Sequence, residues 1–269
     1  MKKLVLLSMG LLWIMSIHSC KRHKDAAGLS QDDISGLALA DATTEEVINS
    51  VESFFSGYHS RPNVPGRNLP SCVQVSHLTM GDTLMVTWQF DTNGCQMPNG
   101  RIYSGTVNIQ RIRDNGNVVI NVAFSDDFSV DDIDVDGAFQ RSRFHINANG
   151  NPETDILFDL TVTRPSGEGF HTAGQRVREM VEGNQTRRPD DNVWEITGHW
   201  MTEENNGNRI AVQTLTPLRK EYTCRWYVSG RVELIRNGET YTLDYGNGTC
   251  DDEAELTWPN GQTEIIHLH

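Results

Sequence analysis

Leu84-Met85-Val86-Thr87-Trp88-Gln89-Phe90-Asp91-Thr92-Asn93-Gly94 decides how this chain is to be read. Leu84, Val86, Trp88 and Phe90 recur at every second position, and the run closes on Asn-Gly. A period of two puts alternate side chains on opposite faces of a strand, and Asn-Gly suits the positive φ of tight hairpin turns. The pattern recurs in Val73-Gln74-Val75, Thr106-Val107-Asn108-Ile109 and Val232-Glu233-Leu234, and Asn-Gly starts at 93, 99, 115, 149, 206, 237, 247 and 260. Residues 71–269 are therefore expected to form an all-β domain, mainly an antiparallel meander built as a sandwich, an open barrel or a long curved sheet. Only Gly174 to Glu182 (GQRVREMVE) reads equally well as helix or strand.

One α-helix is expected N-terminal to the strands, in residues 41–70. Thr43 and Glu46 have capping-box spacing, Val47, Ile48, Val51, Phe54 and Phe55 share a face, and Gly57 stands where a C-terminal cap belongs. Such a helix would lay its apolar stripe on the sheet. The three prolines of residues 60–70 (SRPNVPGRNLP) mark a connector, and residues 20–40 lack sustained periodicity and read as a tether.

The first nineteen residues read as a lipoprotein signal peptide: Lys2-Lys3, an apolar run from Leu4 to Ile17, then Ser19 ahead of Cys20. Fourteen apolar positions interrupted by Ser8, Gly10 and Ser16 are too few to span a bilayer, which needs about 20. Cleavage before Cys20 would leave an acylated cysteine as the membrane contact. Two or more acyl chains, at about 0.8 kcal/mol per buried methylene, anchor a protein durably. His18 departs from the small residue usual two places before such a cysteine.

Composition narrows the partners. The chain has 269 residues, with Lys+Arg 23 against Asp+Glu 36 and a formal charge of −13. Cleavage removes two lysines and no acid, making the mature protein more acidic still. That balance disfavours nucleic acid and anionic lipid surfaces. With Cys20 lipidated, Cys72, Cys95, Cys224 and Cys250 remain, and four cysteines allow three pairings. Proximity favours Cys72 with Cys95 and Cys224 with Cys250, each bridge contributing about 3 kcal/mol in an oxidising compartment. The Cys-x2-4-Cys spacing of a zinc site is absent.

Two stretches echo one another. Phe90 to Cys95 (FDTNGC) and Asp244 to Cys250 (DYGNGTC) suggest two related halves, each closed by a bridge. These segments, with CVQV (72–75), WEITG (194–198) and the run from Pro217 to Gly261, resemble a group of lipoproteins common in Bacteroidota whose most recognisable feature is a DYGxGxCD-like end. The resemblance runs from about residue 41 to the C-terminus. It implies a cell-envelope location on the outer membrane, and it carries over no catalytic residue. Lys21-Arg22-His23-Lys24 follow the cysteine where surface-exported members of such groups carry acids, which points to the periplasmic face.

Candidate chemistry is sparse. Asp132-Ile133-Asp134-Val135-Asp136-Gly137 opens like a calcium loop, yet Arg143 stands where the closing bidentate glutamate belongs. A half-buried strand with Ile133 and Val135 inward explains the same residues, although Asp126, Asp127 and Asp131 keep a looser cation site in view. His267-Leu268-His269 has zinc-like spacing without a third ligand. HExxH, GxSxG and phosphate-binding glycine loops are absent. Trp88, Trp194, Trp200, Trp226 and Trp258 read as core before they read as sugar-stacking platforms, and adjacent Trp226 and Tyr227 would point to opposite faces of one strand.

The sequence thus describes a lipid-anchored envelope protein without a cofactor or metal, non-enzymatic, with a structural or binding role toward an envelope protein or glycan. A hydrolase using acids near 126–136 is the alternative. Because Cys20 alone is available for thioether lipidation, Cys20→Ser is expected to move the protein from the membrane to the soluble fraction and to block lipoprotein processing. Fractionation with mass measurement of the N-terminus checks this; an unlipidated chain that stays on the membrane would contradict it.

Overall fold

The computed structural model describes residues 28–59, 70–97, 100–114, 117–144, 146–186 and 189–268, with helix side chains described as far as Val51. The expected signal peptide, Cys20, the first part of the tether and connector residues 60–69 lie outside the described residues. A helix, α1 (Gln31–His59), is followed by β1 (Val73–Met80), β2 (Thr83–Gln96), β3 (Ile102–Asp114), β4 (Asn117–Phe124), β5 (Ser129–Val130), β6 (Ile133–Phe144) and β7 (Glu153–Thr163). Then come β8 (Gly169–Glu182), β9 (Val193–Glu204), β10 (Arg209–Glu221), β11 (Ser229–Arg236), β12 (Glu239–Asn247), β13 (Glu253–Thr257) and β14 (Thr263–His267). Among the described residues these strands make one sheet in chain order, with the short β5 tucked against β3 and β6. Every pairing is antiparallel, as the hairpin pattern requires. Residues 174–182 are strand, and the architecture is a single curved sheet around one helix.

The Asn-Gly pairs act differently from the simple expectation. Among the described residues only Asn237 (φ 54°) and Gly238 (φ 84°) form a two-residue turn with both φ positive, Asn115-Gly116 lying outside them. The usual hairpin has a three-residue loop, as where Glu204 N donates to Asn208 O at 2.9 Å and Gly207 N to Glu204 O at 2.8 Å. Gly207, Gly150 and Gly261 then supply the single left-handed position (φ 86°, 83° and 81°) that ends such a loop. Asn93-Gly94 is not a turn: it lies inside β2, where the register against β3 shifts between Phe90 and Cys95. Asn247 ends β12 rather than turning the chain.

Both preferred disulfides are present: Cys72–Cys95 ties the start of β1 to the end of β2, and Cys224–Cys250 ties the β10–β11 connection to the β12–β13 connection. The two-half picture receives no boundary from the fold. The sheet is unbroken from β1 to β14, and one apolar cluster runs from Val73 to Leu268. Trp226 and Tyr227 lie in the connection between β10 and β11, not in a strand, and both are buried.

The helix departs most from expectation. It begins at Gln31, inside the stretch read as tether, and it continues past Gly57. Its cap is Ser30: Asp33 N donates to Ser30 Oγ at 3.2 Å while Ser30 N donates to the Asp33 carboxylate at 2.8 Å, a reciprocal box. Thr43 and Glu46 sit mid-helix. No residue from Leu37 to Val51 is exposed, so the helix is enclosed rather than laid on one stripe. Ala40 packs on Val162 of β7 and Phe170 of β8, while Ala38 and Ala42 line a crevice with Tyr245 of β12. Five strand spacings of about 4.8 Å exceed a helix diameter of about 10 Å by more than twofold, so the sheet must curl around α1.

An enclosed helix would ordinarily be apolar all round. This one buries Asp41, Thr43, Thr44, Glu45 and Ser50, and the sheet answers with buried Arg176, Arg178 and Lys220. Arg176 Nη2 donates to Asp41 at 2.5 Å and Nη1 to Glu45 at 2.8 Å. Its guanidinium lies 4.2 Å from the Trp200 ring centroid and 4.9 Å from that of Phe158. Gly174, opposite Trp200, makes room: a Cβ there would come within 2.5 Å of the tryptophan Cβ. Burial pushes the Asp41 carboxyl up to about 6 against the pull of Arg176. Burial acts on Glu45 too, but Arg178, Arg176 and Lys220 together hold it below its ordinary value. Lys220 is pushed down to about 8 by burial, and its ammonium donates to the carbonyls of Cys224 and Arg225.

Two outcomes follow. Arg176→Ala leaves two carboxylates buried without their main partner and is expected to cost about 3–5 kcal/mol in urea unfolding. Asp41 has a folded pKa above its unfolded value of 3.8, so its contribution is full below that value and is lost as pH rises through about 6. Stability relative to Asp41→Asn is expected to fall by about 3 kcal/mol across that window and then level off. A difference that rises with pH would mean the attraction of Arg176 outweighs burial.

Candidate functional site

The inner face is filled by core and helix, and the outer face of β2, β3, β4, β6 and β7 has room for a ligand. Strand register sets Met85, Gln110, Asn121, Gln140 and Leu157 side by side across five strands. The next outward row is Thr87, Asn108, Ala123, Ala138 and Asp159. The two alanines leave a trough that the longer neighbours wall in, a groove of about 490 Å³. That volume falls in the range of small-ligand sites.

The amides form a directional ladder. Gln140 Nε2 donates to Asn121 Oδ1 at 2.8 Å, and Asn121 Nδ2 donates to Gln110 Oε1 at 3.0 Å. Thr87 Oγ1 donates to Asn108 Oδ1 at 3.0 Å. These bonds fix the side chains and leave Gln110 Nε2 and Asn108 Nδ2 as donors and Gln140 Oε1 as an acceptor toward the groove. The one charged side chain lining it, Asp159, is paired with His171 at 2.8 Å. Apart from the Asp159 carboxylate the lining is uncharged, rich in fixed donors and acceptors, and without a nucleophile-base pair among its residues.

The sequence candidates lie elsewhere and do not converge. Asp131 and Asp132 form the turn between β5 and β6 with φ of 49° and 65°. Asp131 accepts from Ile102 N at 2.8 Å and pairs with Arg101, so it closes a loop. Asp134 and Asp136 point outward from β6 and are exposed, with Val135 buried between them. Asp127 accepts from Ser125, and Asp126 is exposed. Among the described residues no group of three His, Cys, Asp or Glu side chains is placed to hold a metal ion. His267 lies 3.7 Å from Asp252, and His269 is outside the described residues. Trp88, Trp194, Trp200 and Trp226 are buried and Trp258 is half-buried, so these rings serve the interior.

Sequence reasoning missed the amide ladder. Its signal was there: the outward positions of neighbouring strands carry Asn and Gln where a solvated sheet face more often carries charge. Only the register shows that they are neighbours. Comparison of the chain with protein families, curated proteins and solved structures found no match.

Because Asp134 and Asp136 are exposed and Asp131 is engaged, Asp134→Ala and Asp136→Ala are expected to move stability by no more than about 0.5 kcal/mol. Asp131→Ala is expected to cost about 1–2 kcal/mol, through lost hydrogen bonds and a left-handed residue deprived of its side-chain oxygen. Urea titration with and without calcium checks both. A calcium-dependent rise abolished by Asp134→Ala would establish a cation site there.

Proposed function

We propose that this protein is a lipid-anchored binding protein of the cell envelope, tethered by Cys20 to the outer membrane on its periplasmic face. Its outer groove takes a segment of neutral glycan without turning it over. The observation that carries this reading is the uncharged amide ladder in a groove of about 490 Å³. Sugar hydroxyls both donate and accept, so they match a row of fixed amides, whereas an anionic ligand would meet no cationic side chain in the lining. The resemblance to Bacteroidota envelope lipoproteins supports the compartment. The acids near 126–136 engage in turns or face solvent singly, which argues against the hydrolase alternative.

The test uses the full chain in detergent with neutral oligosaccharides from the producing cell's envelope and growth substrates. Ala138 is exposed on the outer face, so Ala138→Trp should fill the trough and leave the core intact. Binding measured by calorimetry is expected to fall at least tenfold in Ala138→Trp and in Asn121→Leu, with unchanged thermal midpoints and no new products by mass spectrometry. Binding indifferent to both substitutions, or product release, would refute the reading.

A further inference from the structure

The open sheet has two edges, and they are treated differently. At β14 the start of the helix lies across the edge: Gln31 Nε2 and Ser35 Oγ both donate to His267 O, at 2.5 and 2.9 Å. At β1 the strand pairs with β2 alone among the described residues. Asp91 N donates to Cys72 O, so even-numbered residues of β1 bond to β2 and, by alternation, Val75, His77 and Thr79 aim N–H and C=O at the free edge.

Exposed edges are normally blunted by lysine, proline, bulges or a covering element. Among the described residues β1 (VQVSHLTM) has none of these: it is eight residues long, regular in register and without Lys, Arg, Asp, Glu or Pro. Leu78 and Met80 on its outer side are each 55% exposed, beside Met85 at 42%. An uncharged strand whose outer row carries exposed Leu78 and Met80 beside Gln74 and Ser76 is a pairing surface.

We propose that the occupant is a second copy of this chain, its β1 running antiparallel about a two-fold axis at His77. That register matches Val75 with Thr79 of the other copy, His77 with His77, and Thr79 with Val75, so all six free groups are bonded. Leu78 then sits opposite Ser76 of the second copy, and Met80 opposite Gln74. The self-matching register points to this partner, and although two molecules of net charge −13 repel, β1 is a strip where both can meet without opposing carboxylates.

The geometry is directly testable in the full chain in its membrane. Facing residues of a hydrogen-bonded antiparallel pair have Cα atoms about 5.5 Å apart, inside the disulfide range, whereas Gln74 and its counterpart would be about 20 Å apart. Under mild oxidation His77→Cys is expected to give a covalent dimer on non-reducing gels and Gln74→Cys none. His77→Pro deletes an N–H that points away from β2, so it should keep the wild-type thermal midpoint and lose the dimer in sedimentation. Leu78→Lys, which leaves the backbone untouched, should weaken dimerisation at least tenfold. A wild-type chain that sediments as a monomer, a His77→Cys chain that stays uncrosslinked, or dimers that persist in both His77→Pro and Leu78→Lys would each overturn the proposal. A monomeric result would leave β1 to a strand of a different protein.

Discussion

Arg176 is the point on which the rest of the structure depends. Its guanidinium is fully buried, flanked by Phe158 and Trp200, and bonded to Asp41 and Glu45, which lie one helical turn apart. A buried ion pair adds little net stability, because desolvation cancels most of the Coulomb gain. It does fix geometry. Apolar packing by Leu37, Val47 and Ile48 on the sheet holds an enclosed helix in place but is non-directional. Two carboxylates on one guanidinium permit a single rotation and a single height, and Arg178 and Lys220 repeat the constraint from β8 and β10. A second clamp works at the helix start, where Arg236 and Asn208 bond Asp33 at 2.5 and 2.9 Å.

The enclosed helix explains why the two faces of the sheet behave so differently. Side chains that point inward pack on α1 or on one another, and Trp88, Phe90, Tyr103 and Phe128 form a stacked aromatic series at the β1–β5 end. Outward side chains meet only solvent and their cross-strand neighbours. On an antiparallel sheet that face is free to specialise. Here it carries amides and two alanines, whose arrangement depends on the cross-strand pairing that the inner face enforces, since a one-residue slip would turn the ladder inward.

Much of the sheet was legible because its signals are local. Alternation in Leu84 to Phe90 reads as a strand whatever the neighbours are, and cysteines separated by 23 and 26 positions come within reach once the intervening chain folds back as a hairpin. The helix was legible only in part. Ser30 and Asp33 formed its true cap, but Gly36 and the buried Asp41 and Glu45 broke the apolar periodicity that marks a helix. Those carboxylates looked like surface residues because their partners lie more than 130 positions away. Asn93-Gly94 misled for a related reason: its dipeptide preference is real, yet the continuing pairing of β2 with β3 through Cys95 turned it into a bulge.

The sequence by itself determined the fold class and favoured the two bridges that form, because these rest on side-chain period, turn chemistry or proximity along the chain. Tertiary structure alone decided that the sheet is single and curled, that the helix is its core, and that Gln110, Asn121 and Gln140 stand in one row. The physical reason is range. Strand formation and hairpin closure are fixed within about a dozen residues, whereas curvature, ion pairing across the core and cross-strand neighbours arise only when distant segments must fill the same volume.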